Sequence, residues 1–257
     1  VRKLIVNADD YGLSNSVNKA ILNLLESERI SSTTVLANYA SSHALQQLLP
    51  FKNQAGIHLN LVEGKPICDP DLLPSITENG CFIGSKKMLK RLILHRINPA
   101  EVAMEVRAQI IKVKEAGFPI THADSHQHTH TFPLLSSIIA EELSRFSIQY
   151  IRYSKPDNRD SARMKMLFGL QLFFSSTQKK FKRPSALLSD FSIPNFNPQL
   201  LEKKLKKYPG VVELMCHPSV ENDRSYLNKK RDYEFLQSDD WLNILKTSNR
   251  SLIPFNF

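Results

Sequence analysis

Lys3-Leu4-Ile5-Val6-Asn7-Ala8-Asp9-Asp10-Tyr11-Gly12-Leu13-Ser14 sets the frame for the whole chain. Lys3 to Asn7 is an apolar run that reads as a buried strand, and it ends on Asp9-Asp10 ahead of a turn at Gly12. Ser14 reads as an N-cap, since its hydroxyl can accept from an amide of the first helical turn. Behind it Val17, Ala20, Ile21, Leu24 and Leu25 recur at helical spacing, which predicts an amphipathic helix packed on a sheet. A buried strand, a turn and a returning helix are the first half of a βαβ unit.

The same punctuation repeats outward. Thr33 to Leu36 reads as a second strand, and Ser41 or Ser42 opens a helix that ends near Pro50. Ala55 to Leu61 reads as a third strand, with His58 and Asn60 on one face. A loop rich in turn formers then runs to about Gly84, and a short helix reaches His95. Asn98-Pro99 is a cap followed by proline at the first helical position, and that helix stops at Gly117. Ile120 to Asp124 reads as a strand, Pro133 to Arg145 as a helix and Ser147 to Tyr153 as the next strand. The pattern breaks down over 155–197. It resumes with a short helix from Asn197-Pro198, a strand from Gly210 to Cys216, a helix from about Ser238 to Thr247 and a last strand at Ser251 to Phe255. Alternating strands and helices predict parallel βαβ units. No GxGxxG or Walker sequence supplies a nucleotide reason for an open sheet. A closed or nearly closed α/β barrel in one domain is therefore expected, a size that 257 residues suit.

An apolar share of 42% allows an ordinary core. Cys68, Cys81 and Cys216 are widely spaced, which argues against a disulfide framework or a zinc knot and predicts a reducing, cytoplasmic setting. No apolar run is long enough to span a membrane, and the Val-Arg-Lys opening leads straight into a strand rather than a signal peptide. The net charge of +9 is spread thinly except over 163–183, where Arg163, Lys165, Lys179, Lys180, Lys182 and Arg183 interleave with Phe168, Phe173, Phe174 and Phe181. No nucleic-acid-binding signature accompanies it, so no nucleic-acid partner is expected. The favoured reading of this stretch is a barrel helix plus a lid. The alternative is a basic amphipathic surface making peripheral contact with an anionic membrane.

His122-Ala123-Asp124-Ser125-His126-Gln127-His128-Thr129-His130 holds four of the eight histidines. On a strand its even-numbered side chains would share one face, but the outer two would lie about 26 Å apart, too far to share an ion. The expectation is a strand to Asp124 with His126 to His130 lining the mouth of a site. Position carries the argument further. Asp9-Asp10, His58, His126 and His217 all fall at or just past the C-terminal ends of expected strands, the edge where parallel α/β folds gather catalytic groups. Two histidines and a carboxylate with open positions make a hydrolytic divalent-metal site. A second carboxylate can take a proton and another imidazole can give one.

Val6 to Ser14, Ser32-Thr33-Thr34, Gly56-Ile57-His58-Leu59-Asn60-Leu61 with Glu63-Gly64-Lys65-Pro66, Thr121 to His130, and Glu213-Leu214-Met215-Cys216-His217-Pro218 together resemble the YdjC-like carbohydrate deacetylase family. Chitooligosaccharide deacetylases are its best-known members. The resemblance implies a distorted TIM-like (β/α) barrel of the glycoside hydrolase/deacetylase type, which agrees with the alternation. It implies that Asp10, His58 and His126 hold a divalent metal, Mg2+ or Zn2+. Asp9 would be the general base and His217 the acid or orienting group. Asp124 and His128 would support ligands or contact sugar. The implied reaction releases acetate from an N-acetylated sugar, and a homodimer would fit the family. Tyr11 stands where the family usually has Phe and is expected to add a hydroxyl near the metal, while Asn60 shares a face with His58. Ser219 stands where Gly is usual. A phosphoesterase using the same ligands is the first rival, although it would want more bridging carboxylates. A lipid-linked or anionic amino sugar is an alternative substrate.

Overall fold

The computed structural model describes residues 2–132, 134–152, 180–189, 191–192, 196–222 and 227–257. Its first unit is β1 (Arg2–Tyr11), α1 (Asn15–Glu26), β2 (Ser32–Val35), α2 (Ser42–Leu48) and β3 (Ala55–Leu59). A small hairpin of β4 (Thr77–Glu78) and β5 (Cys81–Phe82) precedes α3 (Gly84–Ile93) and α4 (Pro99–Glu115). Then come β6 (Ala123–Ser125), α5 (Leu135–Arg145), β7 (Ala186–Leu188), α6 (Pro198–Lys207) and β8 (Val212–Cys216). The chain closes with α7 (Lys229–Gln237), α8 (Asp239–Thr247) and β9 (Arg250–Leu252). The expected caps are in place: Ser14 accepts from Val17 N, Asn98 from Ala100 N and Asn197 from Leu200 N.

The main sheet runs β6-β3-β2-β1-β8-β7, every pairing parallel, with β9 beside the start of β1. Two isolated parallel bridges, Ala123 to Ile151 and Tyr150 to Lys182, carry the path on from β6. The chain from Lys182 leads into β7, so the curled sheet returns to β8 and β1. Among the described residues, seven parallel segments thus ring a barrel, one of them, at Tyr150 and Ile151, joined to its neighbours only by single bridges. This is the expected α/β, distorted TIM-like architecture.

Alternation along the strands sorts core from interior. Leu4, Val6 and Ala8 of β1, Ile57 and Leu59 of β3, and Val212, Leu214 and Cys216 of β8 face the helices and join the main apolar core. Ile5, on the other face of β1, packs inside with Tyr150 and Phe255 as an apolar floor. Above it the interior turns polar: Asn7, Asp9, Thr34, His58, His122, Asp124, Arg152 and Glu213 are all buried there. The barrel is therefore a packed interior graded from apolar to charged, with the charge toward the C-terminal strand ends.

Three departures from the sequence reading have physical causes. β7 lies within 155–197, where no strand was expected, because three residues are too short to show a period. The strand expected at Ser147 to Tyr153 reduces, among described residues, to the bridges at Tyr150 and Ile151. The strand expected from Ile120 begins only at Ala123, since Ile120 has φ 50°. The segment up to residue 179 of the basic 163–183 stretch lies outside the described residues. Among the described residues, no helix is long and apolar enough to cross a membrane.

Candidate active site

The C-terminal end of β1 delivers two consecutive carboxylates to one place. On a regular strand Asp9 and Asp10 would face opposite sides, but the pairing with β2 slips between Ala8 and Tyr11 and Asp10 adopts φ 70°. This bulge re-aims the second side chain, and aspartate tolerates the left-handed backbone better than most residues. Asp9 and Asp10 are then 2% and 4% exposed, and both reach the His58 side of the barrel mouth.

Two imidazoles converge on Asp10. His58 Nε2 lies 3.2 Å and His126 Nδ1 3.1 Å from its Oδ1. The ligand atoms of Asp10, His58 and His126 all fall within 4.8 Å of one another. Burial opposes the charge on Asp10, but the bonds from His126 and His58 hold its carboxyl well below the ordinary range. Burial likewise opposes protonation of both imidazoles. Asp124 nevertheless raises His58 well above its usual value, and Asp10 and Glu63 push His126 up to about 9. A set of two imidazoles and one carboxylate suits a divalent ion.

Behind His58 stands a buried ionic network. Asp124 Oδ1 accepts from His58 Nδ1 at 2.6 Å, and Asp124 Oδ2 pairs with Arg152 Nη1 at 2.7 Å. Arg152, wholly buried, also grips Asp9 through both Nη atoms at 2.6 and 2.7 Å and Glu213 through Nε at 2.7 Å. Burial resists the ionised form of Asp9, yet Arg152 drives its carboxyl far below the ordinary range. Asn7 Nδ2 adds a bond to Asp9 Oδ1 at 2.8 Å. Asp9, His58 and Asp124 also bring ligand atoms together, but the guanidinium already occupies the charge balance there. Burial pushes Glu213 up to about 7 despite Arg152, and its Oε2 is buried without a partner.

His217, just past β8, the strand beside β1, places its Nε2 3.9 Å from Asp9 Oδ2. Its Nδ1 lies 3.0 Å from Ser192 Oγ, and Ser192 in turn donates to Asp232 of α7. Asp232 also accepts from the His217 amide at 3.1 Å. The His217 ring is thus held facing Asp9 by a serine and a buried carboxylate.

The remaining histidines of the cluster diverge. His122 lies flat on Phe255, ring centroids 3.8 Å apart, and bonds to Asn7 through Nε2 at 2.9 Å. Gly56 makes room for it, because a Cβ there would come 2.5 Å from the His122 carbonyl. Past Ser125 the chain leaves the strand, with Gln127 and His128 both left-handed, so the even-number register ends. His130 turns back to Ser125 Oγ at 2.6 Å. His128 sits beside the site with a buried Nδ1, and burial lowers it to about 3, so its ring is neutral. Two expected site residues serve the frame instead. Tyr11 is fully buried and donates to the Ala44 carbonyl at 2.7 Å, so its hydroxyl points to α2 and not to the ligands. Asn60 spends its amide on the 60–63 turn and on Asn38.

Sequence reasoning missed Arg152, Glu63, Glu213, Ser192 and Asp232. Arg152 had a usable signal, since it ends an expected strand at the same edge as the named residues. Glu63 stood inside a motif already singled out. Ser192 and Asp232 carried none.

A parallel β/α barrel here gathers carboxylates and imidazoles at its C-terminal rim, and Asp10, His58 and His126 among them form a group that could hold a metal ion. The sequence profile of the YdjC-like protein family matches residues 3–247. A carbohydrate deacetylase of Halalkalibacterium halodurans is 32% identical over 84% of this chain and 85% of its own. One from Thermoanaerobacter pseudethanolicus is 28% identical over 100% of this chain and 99% of its own. A solved structure from Enterococcus faecalis, whose description names cellobiose-phosphate cleavage, superposes with a TM-score of 0.79 at 24% identity, covering 99% of this chain and 97% of that one. A family 4 carbohydrate esterase from Streptomyces lividans shares the fold at a TM-score of 0.52 and 8% identity, covering 98% and 91%. The chain belongs to the YdjC-like family.

Proposed function

We propose that this protein is a carbohydrate deacetylase, one catalytic domain that hydrolyses the N-acetyl amide of an amino sugar to acetate and a free amine. The observation that carries it is the meeting of Asp10, His58 and His126 at one point, with Asp9 and His217 facing each other beside it. The names of its relatives supply the substrate class, an acetylated carbohydrate, with chitooligosaccharide-like sugars the first to try.

Asp10, His58 and His126 are the residues that would hold the ion; two imidazoles favour Zn2+ over Mg2+. When bound, such an ion polarises a carbonyl and makes water acidic near neutral pH. That matters for Asp9, because a carboxylate held so firmly ionised by Arg152 is a weak base that needs an acidic partner. Asp9 takes the proton of the attacking water at the carboxylate oxygen nearest His217. His217 gives a proton from Nε2 to the departing amine nitrogen, with Ser192 and Asp232 fixing its ring. Arg152 fixes Asp9 in turn.

The test is acetate release from a panel of N-acetylated sugars, using metal-stripped and metal-restored protein. Metal-dependent release that is abolished in His58→Ala is the expected result. Phosphate release from phosphorylated sugars without acetate would instead favour the phosphoesterase rival.

A further inference from the structure

The two imidazoles facing Asp10 are held in opposite senses. His58 offers Nε2 and gives Nδ1 to Asp124, whereas His126 offers Nδ1 and places Nε2 2.9 Å from Glu63 Oε2. Asp124 is buried on β6, but Glu63 is half-exposed, at 50%, on the loop after β3. His126 needs outside support more than His58 does. It lies beyond the end of β6, immediately before two left-handed residues, and Ser125 gives that segment no side-chain cap.

The loop that carries Glu63 is fastened on both sides of it. Asn60 Oδ1 accepts from the amides of Val62 and Glu63 at 3.1 Å each, and its Nδ2 donates to the Glu63 carbonyl at 2.7 Å. Asn38 Nδ2 donates to the carbonyls of Glu63 and Lys65 at 3.3 and 3.0 Å. Gly64, at φ +72°, lets the turn close on Tyr39, where a Cβ would fall 2.4 Å from the hydroxyl. A rim carboxylate on a fixed backbone, aimed at the far nitrogen of an imidazole, is the arrangement that sets a ligand's tautomer and orientation.

We infer that Glu63 is a positioning residue for His126, accepting the Nε2 proton so that Nδ1 faces the ion shared with Asp10 and His58. The inference rests on the metal-site reading above and adds to it a residue that touches neither ion nor substrate.

The experiment measures Zn2+ affinity by chelator competition and the visible absorption of the Co2+-loaded protein. It compares wild type, Glu63→Ala, Glu63→Gln and His58→Ala. Glu63→Ala is expected to weaken Zn2+ binding about 10- to 100-fold, the usual effect of losing such a support, and to alter the Co2+ spectrum. Glu63→Gln keeps an oxygen that accepts from Nε2–H, so it should recover most of the affinity and the wild-type spectrum. Wild-type affinity in Glu63→Ala overturns the inference. So does equal loss in the Ala and Gln variants, which would make bare charge the cause. If His58→Ala binds Zn2+ as wild type does, the metal-site reading itself fails, and the Glu63 variants cannot mimic that result.

Discussion

The two sides of the site hold their imidazoles by different physics. On the barrel side, His58 is backed by Asp124, itself gripped by Arg152, and all three are at most 2% exposed. On the rim side, His126 is backed by Glu63, half in solvent, on a loop tied down by neutral amides. The barrel side is an ionic network in which each charge depends on its partner, because a buried charge left alone is costly. The rim side is a screened contact whose value lies in orientation rather than attraction. Depth thus decides whether a supporting carboxylate contributes to stability or only to geometry.

The sharpest way to break the contrast is Arg152→Met. It leaves Asp9, Asp124 and Glu213 buried without their guanidinium, and urea unfolding should show a loss of about 3–5 kcal/mol. A rim substitution should cost far less. Asp9→Asn should lower turnover by about 10²- to 10⁴-fold while the protein still binds Zn2+ within a few-fold of wild type. A parallel collapse of Zn2+ affinity would remove Asp9 from the role of base.

Glu213 tests the network through pH. Burial raises its carboxyl from 4.5 to about 7, so the folded protein holds this proton more tightly than the unfolded chain does. Its stabilising contribution is full below about 4.5 and is lost as pH rises through about 7. Across that window the stability of wild type should fall relative to Glu213→Gln, as read from melting temperature against pH. Parallel curves would show that Glu213 is ionised throughout. Tyr11→Phe should cost about 1 kcal/mol through the lost bond to Ala44 and leave acetate release unchanged. A drop in turnover would return the hydroxyl to the site. The smallest effect concerns salt. Near 1 M, where the screening length is about 3 Å, the Zn2+ advantage of wild type over Glu63→Gln should shrink, while that over Asp124→Asn should persist.

The alternation of strands and helices was legible because cap and turn residues mark the boundaries between elements, as at Gly12-Leu13-Ser14 after β1 and at Asn98-Pro99 before α4. Asp9, Asp10, His58, His126 and His217 were legible through one rule, that strand ends in a parallel barrel face a common mouth. The rule located residues and left their contacts open. The even-number register along the His-rich stretch put His122 and His130 on one face with His126, whereas one ring packs on Phe255 and the other turns to Ser125. The family resemblance suggested a Tyr11 hydroxyl near the metal, whereas that hydroxyl donates to the Ala44 carbonyl.

What the sequence alone determined was the inventory and the edge: which acids and imidazoles the chain has, and that parallel strands would bring them to one rim. Periodicity and capping are local, so they survive in a linear reading. What only the tertiary structure decided was the pairing. The bulge at Asp10, the three carboxylates on Arg152, and the Ser192–Asp232 support of His217 join residues far apart in the chain. Such contacts depend on register, twist and burial acting together, and no stretch of sequence contains them.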